Sequence, residues 1–132
     1  LDFLLLDACK ITPFPEAEIR NSEPGSAYVI LTHDHALDFI LVKEALIRGD
    51  AAYIGMIGSE TKKAVLKKWL KKEGVFNFQR VFTPLGASIT NIKNLGKRPE
   101  IISVLVVTEI LTSLQKYKNI VGDKSTEIGL RQ

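Results

Sequence analysis

The stretch Tyr28–Asp38, YVILTHDHALD, constrains this chain more than any other part of it. Tyr28–Leu31 is apolar and partly β-branched, which reads as a buried strand. Thr32-His33-Asp34-His35 follows at once and holds both histidines of the chain. Ala36 then opens a helix that runs to about Arg48. A strand that empties into a polar turn and then a helix is half of a βαβ unit, the building block of parallel sheets. Ligands of such sheets sit at the carboxyl ends of the strands. The histidine pair therefore stands where a site is expected.

The rest of the chain continues the pattern. Phe3–Leu6 is a short apolar strand ending in Asp7. Ile11–Pro24 holds three prolines and reads as a connection with at most a short helical piece. Ala27–Leu31 is the next strand, and Gly49 suits a left-handed residue after the helix that follows. A further strand, Ala52–Ile57, ends in Gly58-Ser59. Ser59 is a good N-cap for a helix from Glu60 to about Glu73, in which Val65, Leu66, Trp69 and Leu70 form one apolar stripe. Arg80–Phe82 is a short strand closed by Thr83-Pro84, and Leu85–Arg98 is a loop. Pro99 and Glu100 announce a last helix. Apolar residues at 104, 107, 111 and 114 favour helix there despite the β-branched content of Ile101–Tyr117.

The expected fold is α/β, a Rossmann-like and mainly parallel sheet flanked by helices. Residues 1–118 form one domain, and 119–132 a loose tail. A dinucleotide fold opens with a strand and a GxGxxG turn, and this chain shows neither. It reads as starting at the second strand, with Asp7 placed to hold a ribose hydroxyl.

Charge narrows the partners. Glu60–Glu73 carries six lysines against two glutamates, a local +4 within a total of +3. The basic character is one helix, not a basic surface. No aromatic residues interleave with the lysines in the manner of a nucleic-acid patch, so a solvated helix face is the plain reading. No apolar run is long enough for a membrane span. The single cysteine, Cys9, excludes an internal disulfide and suits a cytoplasmic location.

Two motifs can carry chemistry. In Thr32-His33-Asp34-His35, neutral imidazoles can move protons or bind metal, and Asp34 can orient one of them. The plain alternative is that Thr32 or Asp34 caps the helix and a histidine packs or touches a ligand. Metal ligation stays undecided, because no cysteine or glutamate cluster joins the pair. The second motif is Gly55-Met56-Ile57-Gly58-Ser59 with Lys62 one turn on. Free N–H groups at the helix start, with Lys62, favour an anion or phosphate. The spacing is not that of a P-loop, and a simple capped turn is the alternative.

In this order and spacing, THDHALD, YIGMIGS with Lys62 beyond it, TPLG and KRPE resemble the XdhC/CoxI family. Those are accessory proteins of xanthine dehydrogenase and related molybdenum hydroxylases. The similarity covers about Phe14–Leu111. It implies a Rossmann-like C-terminal domain that handles molybdenum cofactor (molybdopterin), protects it and delivers it to an apo-hydroxylase such as xanthine dehydrogenase. That role is a binding and maturation factor rather than an enzyme. The resemblance carries over to Thr32, His33, Asp34, His35, Gly55, Gly58, Ser59 and Lys62, and Pro84 and Gly86 match a later proline-glycine turn.

Departures from the family pattern are specific. Members carry an upstream Gly-Ala-Gly-His type turn and a separate N-terminal domain. Here Asn94–Arg98 replaces a glycine-rich turn, and Asp7-Ala8-Cys9 replaces an acidic and arginine pair. The reading is a truncated or split version that closes its sheet with a second copy or a complementing chain. An NAD(P)-binding oxidoreductase domain and a degenerate interaction module are the alternatives.

Overall fold

In a computed structural model, residues 10–89 and 98–131 are described. The strand expected at Phe3–Leu6, Asp7 at its end, and the centre of the late loop lie outside them. In chain order the elements are α1 (Pro15–Arg20), β1 (Ala27–Ile30), α2 (His35–Arg48), β2 (Tyr53–Met56), α3 (Glu60–Lys72), a 3-10 turn (Phe78–Arg80), β3 (Val81–Phe82) and α4 (Pro99–Arg131). The strands form one sheet in the order β1-β2-β3, and both pairings are parallel. The α/β parallel architecture expected from the sequence is the one observed.

The pleat of β2 sorts the two faces of the sheet, since successive side chains point to opposite sides. Ile54 and Met56 join Ile30 and Val81 in the main core. Phe39, Leu41, Val42, Ala45 and Leu46 of α2, with Leu66 and Leu70 of α3, close that core from one side. Phe39 meets Trp69 with ring centroids 5.8 Å apart, which locks the two helices together. Tyr53 and Gly55 point to the other face, where Tyr53 stacks on Phe82 at 5.0 Å and reaches Glu109 of α4.

Helix α4 crosses that second face against the strand direction. Leu105 lies on Gly86, beyond the end of β3, and Tyr117 lies on Gly25, before the start of β1. The helix runs to Arg131, past Lys118, beyond which the sequence alone leads one to expect a loose tail. No proline interrupts 100–131, so backbone hydrogen bonding can continue. The apolar stripe used to infer this helix is also not the one that packs. Val104, Val107 and Leu111 are 65%, 54% and 60% exposed, while Glu109 and Ser113 are buried against the sheet.

Smaller differences have local causes. Arg80 belongs to the 3-10 turn, not to the strand. Its guanidinium donates to the carbonyls of Gly49 and Ala51, at 3.1 and 2.6 Å, and ties this turn to the approach of β2. Leu31 lies beyond β1 and is exposed. Val65, expected in the buried stripe of α3, is 51% exposed, because Lys62, Leu66 and Leu70 take the inward positions and Trp69 packs on Phe39 beside them. Gly49 does adopt the left-handed conformation, at φ 75°.

Candidate functional site

Three turns leave the carboxyl ends of the three parallel strands, and each organises itself before it can meet a ligand. After β1, the Asp34 carboxylate accepts hydrogen bonds from the N–H groups of Ala36 and Leu37, at 2.9 and 3.4 Å. It is the N-cap of α2 and satisfies donors that the first helical turn leaves unpaired. The Thr32 hydroxyl donates to the Asp34 carbonyl and accepts from the Asp34 N–H. Of the two capping residues considered, Asp34 therefore takes the role and Thr32 shapes the turn. His33 and His35 are left exposed on either side of it.

After β2, Ser59 caps α3 by accepting from the Lys62 N–H at 3.2 Å. The Lys62 side chain does not project to solvent with the other lysines. It folds back, and its ammonium donates to Asp38 at 2.7 Å and to the Ile57 carbonyl at 2.8 Å. Asp38 is fully buried, Lys62 is 8% exposed, and the second Asp38 oxygen accepts from the Thr32 N–H at 2.9 Å. One ion pair thus ties together the exits of β1 and β2 and the first turns of α2 and α3.

Burial pushes the Asp38 carboxyl up, but the hydrogen bonds from Lys62 and Thr32 and the Lys62 charge outweigh it. The carboxylate is held below its ordinary value of 3.8. Gly58 makes this possible, since a Cβ there would lie 2.6 Å from Lys62 Cδ. The Gly-Ser turn accommodates its own lysine. This corrects the reading of Lys62 as part of a solvated face and as a cation free for an anionic ligand: both of these acceptors are internal. Gly55 is likewise filled from within, since a Cβ there would lie 2.5 Å from the Tyr53 hydroxyl.

After β3, Thr83-Pro84-Leu85-Gly86 turns beneath α4, with Gly86 left-handed at φ 79° and buried. Leu105 explains the glycine, because its Cβ would be 2.6 Å from one added at Gly86. Behind this turn stands Glu109, 1% exposed. One of its oxygens accepts from the Tyr53 hydroxyl at 2.5 Å and the Gly86 N–H at 3.1 Å. The other accepts from the Ser88 N–H at 3.2 Å and the Ser88 hydroxyl at 2.6 Å. Four donors occupy the four acceptor positions of a carboxylate. Burial first, then the hydrogen bond to Glu109 and its negative charge, push the Tyr53 phenol far above the usual tyrosine range.

The structure thus gathers Thr32, His33, Asp34, His35, Gly58, Ser59 and Lys62 around two neighbouring strand exits, with Pro84 and Gly86 at the third. Among the described residues, no three His, Cys, Asp or Glu side chains group as metal ligands, and no helix is long and apolar enough to cross a membrane. Asp38, Tyr53, Thr83, Ser88 and Glu109 were not singled out from the sequence. A signal for two of them was present. Glu109 is the single acidic residue in Ile101–Tyr117, and Asp38 stands between Leu37 and Phe39 on the most apolar helix. An acid in such a setting is buried with partners or it is not there.

The model of one protein family, described as XdhC Rossmann domain, matches residues 6–110. The match takes in all three turns and Glu109. No curated protein and no solved structure matches the chain.

Proposed function

The chain belongs to the XdhC family, whose family-level role lies in xanthine dehydrogenase maturation, and from that premise we propose that it binds molybdenum cofactor as cargo and delivers it to an apo-hydroxylase of the xanthine dehydrogenase type. The observation that carries this reading is the convergence of three polar turns at the carboxyl edge of one parallel sheet, all within the matched segment. That edge is where open α/β sheets take ligands. The donor set there suits the phosphate end of such a cargo. His33 and His35 are exposed, Ser59 caps α3, and the positive ends of two helix dipoles face the same edge. In this reading the imidazoles and the N–H groups at the start of α3 hold the phosphate, Asp34 caps the start of α2, and the Asp38–Lys62 pair keeps the two helix starts in register without touching the ligand.

Binding and transfer are measured together. Purified chain is loaded with molybdenum cofactor, separated from free cofactor, and mixed with an apo-hydroxylase whose recovered activity is followed. We expect retention of the cofactor and transfer. The double variant His33→Ala/His35→Ala should retain at least tenfold less. Equal retention by the variant would remove the histidines from the site, and no retention by the intact folded chain would remove the cargo reading. Binding of NAD(P) in place of the cofactor would favour a nucleotide-binding oxidoreductase domain.

A further inference from the structure

We propose that α3 is a docking surface for an acidic segment of another protein, which lays its carboxylates along the ridge Lys63, Lys67, Lys71 and seats one apolar side chain in the hollow at the far end of that ridge. The three lysines follow at intervals of four, so they lie one above the other on the helix. Lys68 and Lys72 form a second row beside them. Lys67, Lys68, Lys71 and Lys72 are exposed, and Lys63 is half-buried. Among the described residues, Lys10, Arg20, Lys43, Arg48 and the buried Lys62 each meet a carboxylate, whereas these five lysines of α3 do not.

Solvation alone does not account for such rows. A helix face that serves only solubility gains from alternating Glu with Lys at this spacing, while like charges there destabilise the helix. Lys71 and Lys72 suit the negative end of the helix dipole, but Lys63, Lys67 and Lys68 stand too far from it to gain. A bound anion removes the repulsion, and the extent of the charge selects which anion. The ridge is about 12 Å long, at about 1.5 Å per residue. Glu60–Glu73 carries +4 within a total of +3, which leaves −1 for the rest of the chain. No wider basic surface therefore meets a nucleic-acid backbone or an anionic bilayer. A few carboxylates of a protein segment match the ridge.

The end of the ridge adds an apolar seat. Gly74, left-handed at φ 77°, turns the chain back after α3. Val75, Phe76, Phe78 and Gln79 then enclose, with Lys67 and Lys71, a hollow of about 160 Å³. Small-molecule sites run to about 300–1,000 Å³, so this one takes a single side chain. Phe76 lines it while 75% exposed, and an incoming apolar group would cover that ring. An apolar seat edged by charge is the layout of a protein interface, in which the seat anchors and the charges steer and select.

This surface does not rest on the cargo reading and holds or fails without it. The probe is a fluorescent peptide of glutamates around a central leucine, titrated by anisotropy into the whole chain, with a counterpart carrying glutamine for every glutamate. We expect the acidic peptide to bind, more weakly as salt rises, and the glutamine peptide to bind at least tenfold more weakly. Lys67→Glu/Lys71→Glu should lose at least tenfold for the acidic peptide. Lys10→Glu/Lys118→Glu changes the net charge equally on other faces and should bind as the wild-type chain does. Phe76→Ala should lose at least threefold. All three variants should keep the wild-type thermal midpoint, because the replaced side chains are exposed. The proposal is overturned if the folded wild-type chain does not bind the acidic peptide, if the two double variants lose affinity alike, if Phe76→Ala binds as tightly, or if single-stranded DNA or phosphatidylserine vesicles bind more tightly than the peptide.

Discussion

Replacing Lys62 with methionine removes the ammonium and keeps a side chain of similar length. Asp38 is then a fully buried carboxylate whose remaining hydrogen bond comes from the Thr32 N–H at 2.9 Å. At the observed 2.7 Å, the gross attraction of the pair is roughly 6 kcal/mol for an effective dielectric constant of about 20. The variant does not lose all of it, because the orphaned carboxyl can take up a proton. Neutralising a group of ordinary pKa 3.8 at pH 7 costs about 4 kcal/mol, at about 1.36 kcal/mol per pH unit. That sets a ceiling close to the ~3–5 kcal/mol usual for breaking a buried pair from one side.

We therefore expect Lys62→Met to lose about 3–4 kcal/mol in urea unfolding at pH 7 and only about 1–2 kcal/mol at pH 5. The sign follows from the direction of each shift. In the wild-type chain the folded Asp38 pKa is depressed, so its contribution is present above 3.8 and is lost as pH falls through the lower folded value. In the variant the unpaired carboxyl rises above its unfolded value, so the penalty shrinks as pH falls. The double variant Asp38→Asn/Lys62→Met keeps an acceptor for Thr32, buries no charge, and should recover most of the loss. A loss below about 1 kcal/mol that does not change between pH 7 and 5 would refute the buried pair.

The Tyr53 phenol gives an alkaline signature. Its folded pKa is raised, so its stabilisation is complete below the ordinary value of 10.0 and is lost as pH rises beyond it. Ultraviolet titration of the wild-type chain against Tyr53→Phe should show that the Tyr53 phenol does not ionise until the chain unfolds, and its ionisation in the folded chain would contradict its burial. Asp34→Ala should cost about 1 kcal/mol through loss of the α2 cap, with Asp34→Asn nearly neutral. Thermal unfolding of both checks this, and equal losses would deny the capping role. Among the described residues β1 pairs only with β2, the strand expected at Phe3–Leu6 lying outside them, and a strand edge is commonly covered by another element or chain. We expect sedimentation to show a dimer or a complex with a complementing chain, and a monodisperse monomer at micromolar concentration would count against it.

Much of the candidate site could be read from the residues, because its turns are local. Asp34 and Ser59 act within three residues of themselves, so capping follows from sequence neighbours. The glycines were legible as close approaches but not as to what approaches. Gly58 and Gly86 make room for Lys62 and Leu105, a local and a distant neighbour, and neither needs a ligand to explain it.

The alternation of strands and helices, the parallel sheet they imply, the family, and the placing of the polar turns at strand ends were all legible along the chain. The family rests on the resemblance of a few motifs in order, and the rest on periodicity and on short-range rules of capping and turning. The tertiary structure decided which charges are buried and which apolar stripe is not. Lys62 sits in a run of lysines that looks uniform along the chain, and only the 24-residue reach to Asp38 takes it out of solvent. Glu109 meets Tyr53 across 56 residues. On α4 two apolar faces compete for one sheet, and Glu109 settles the rotation. Its carboxylate finds four donors only when that face is turned inward, at the cost of leaving Val104, Val107 and Leu111 outside. A buried charge tolerates fewer arrangements than a methyl group does, so it fixed the helix orientation that hydropathy alone left open.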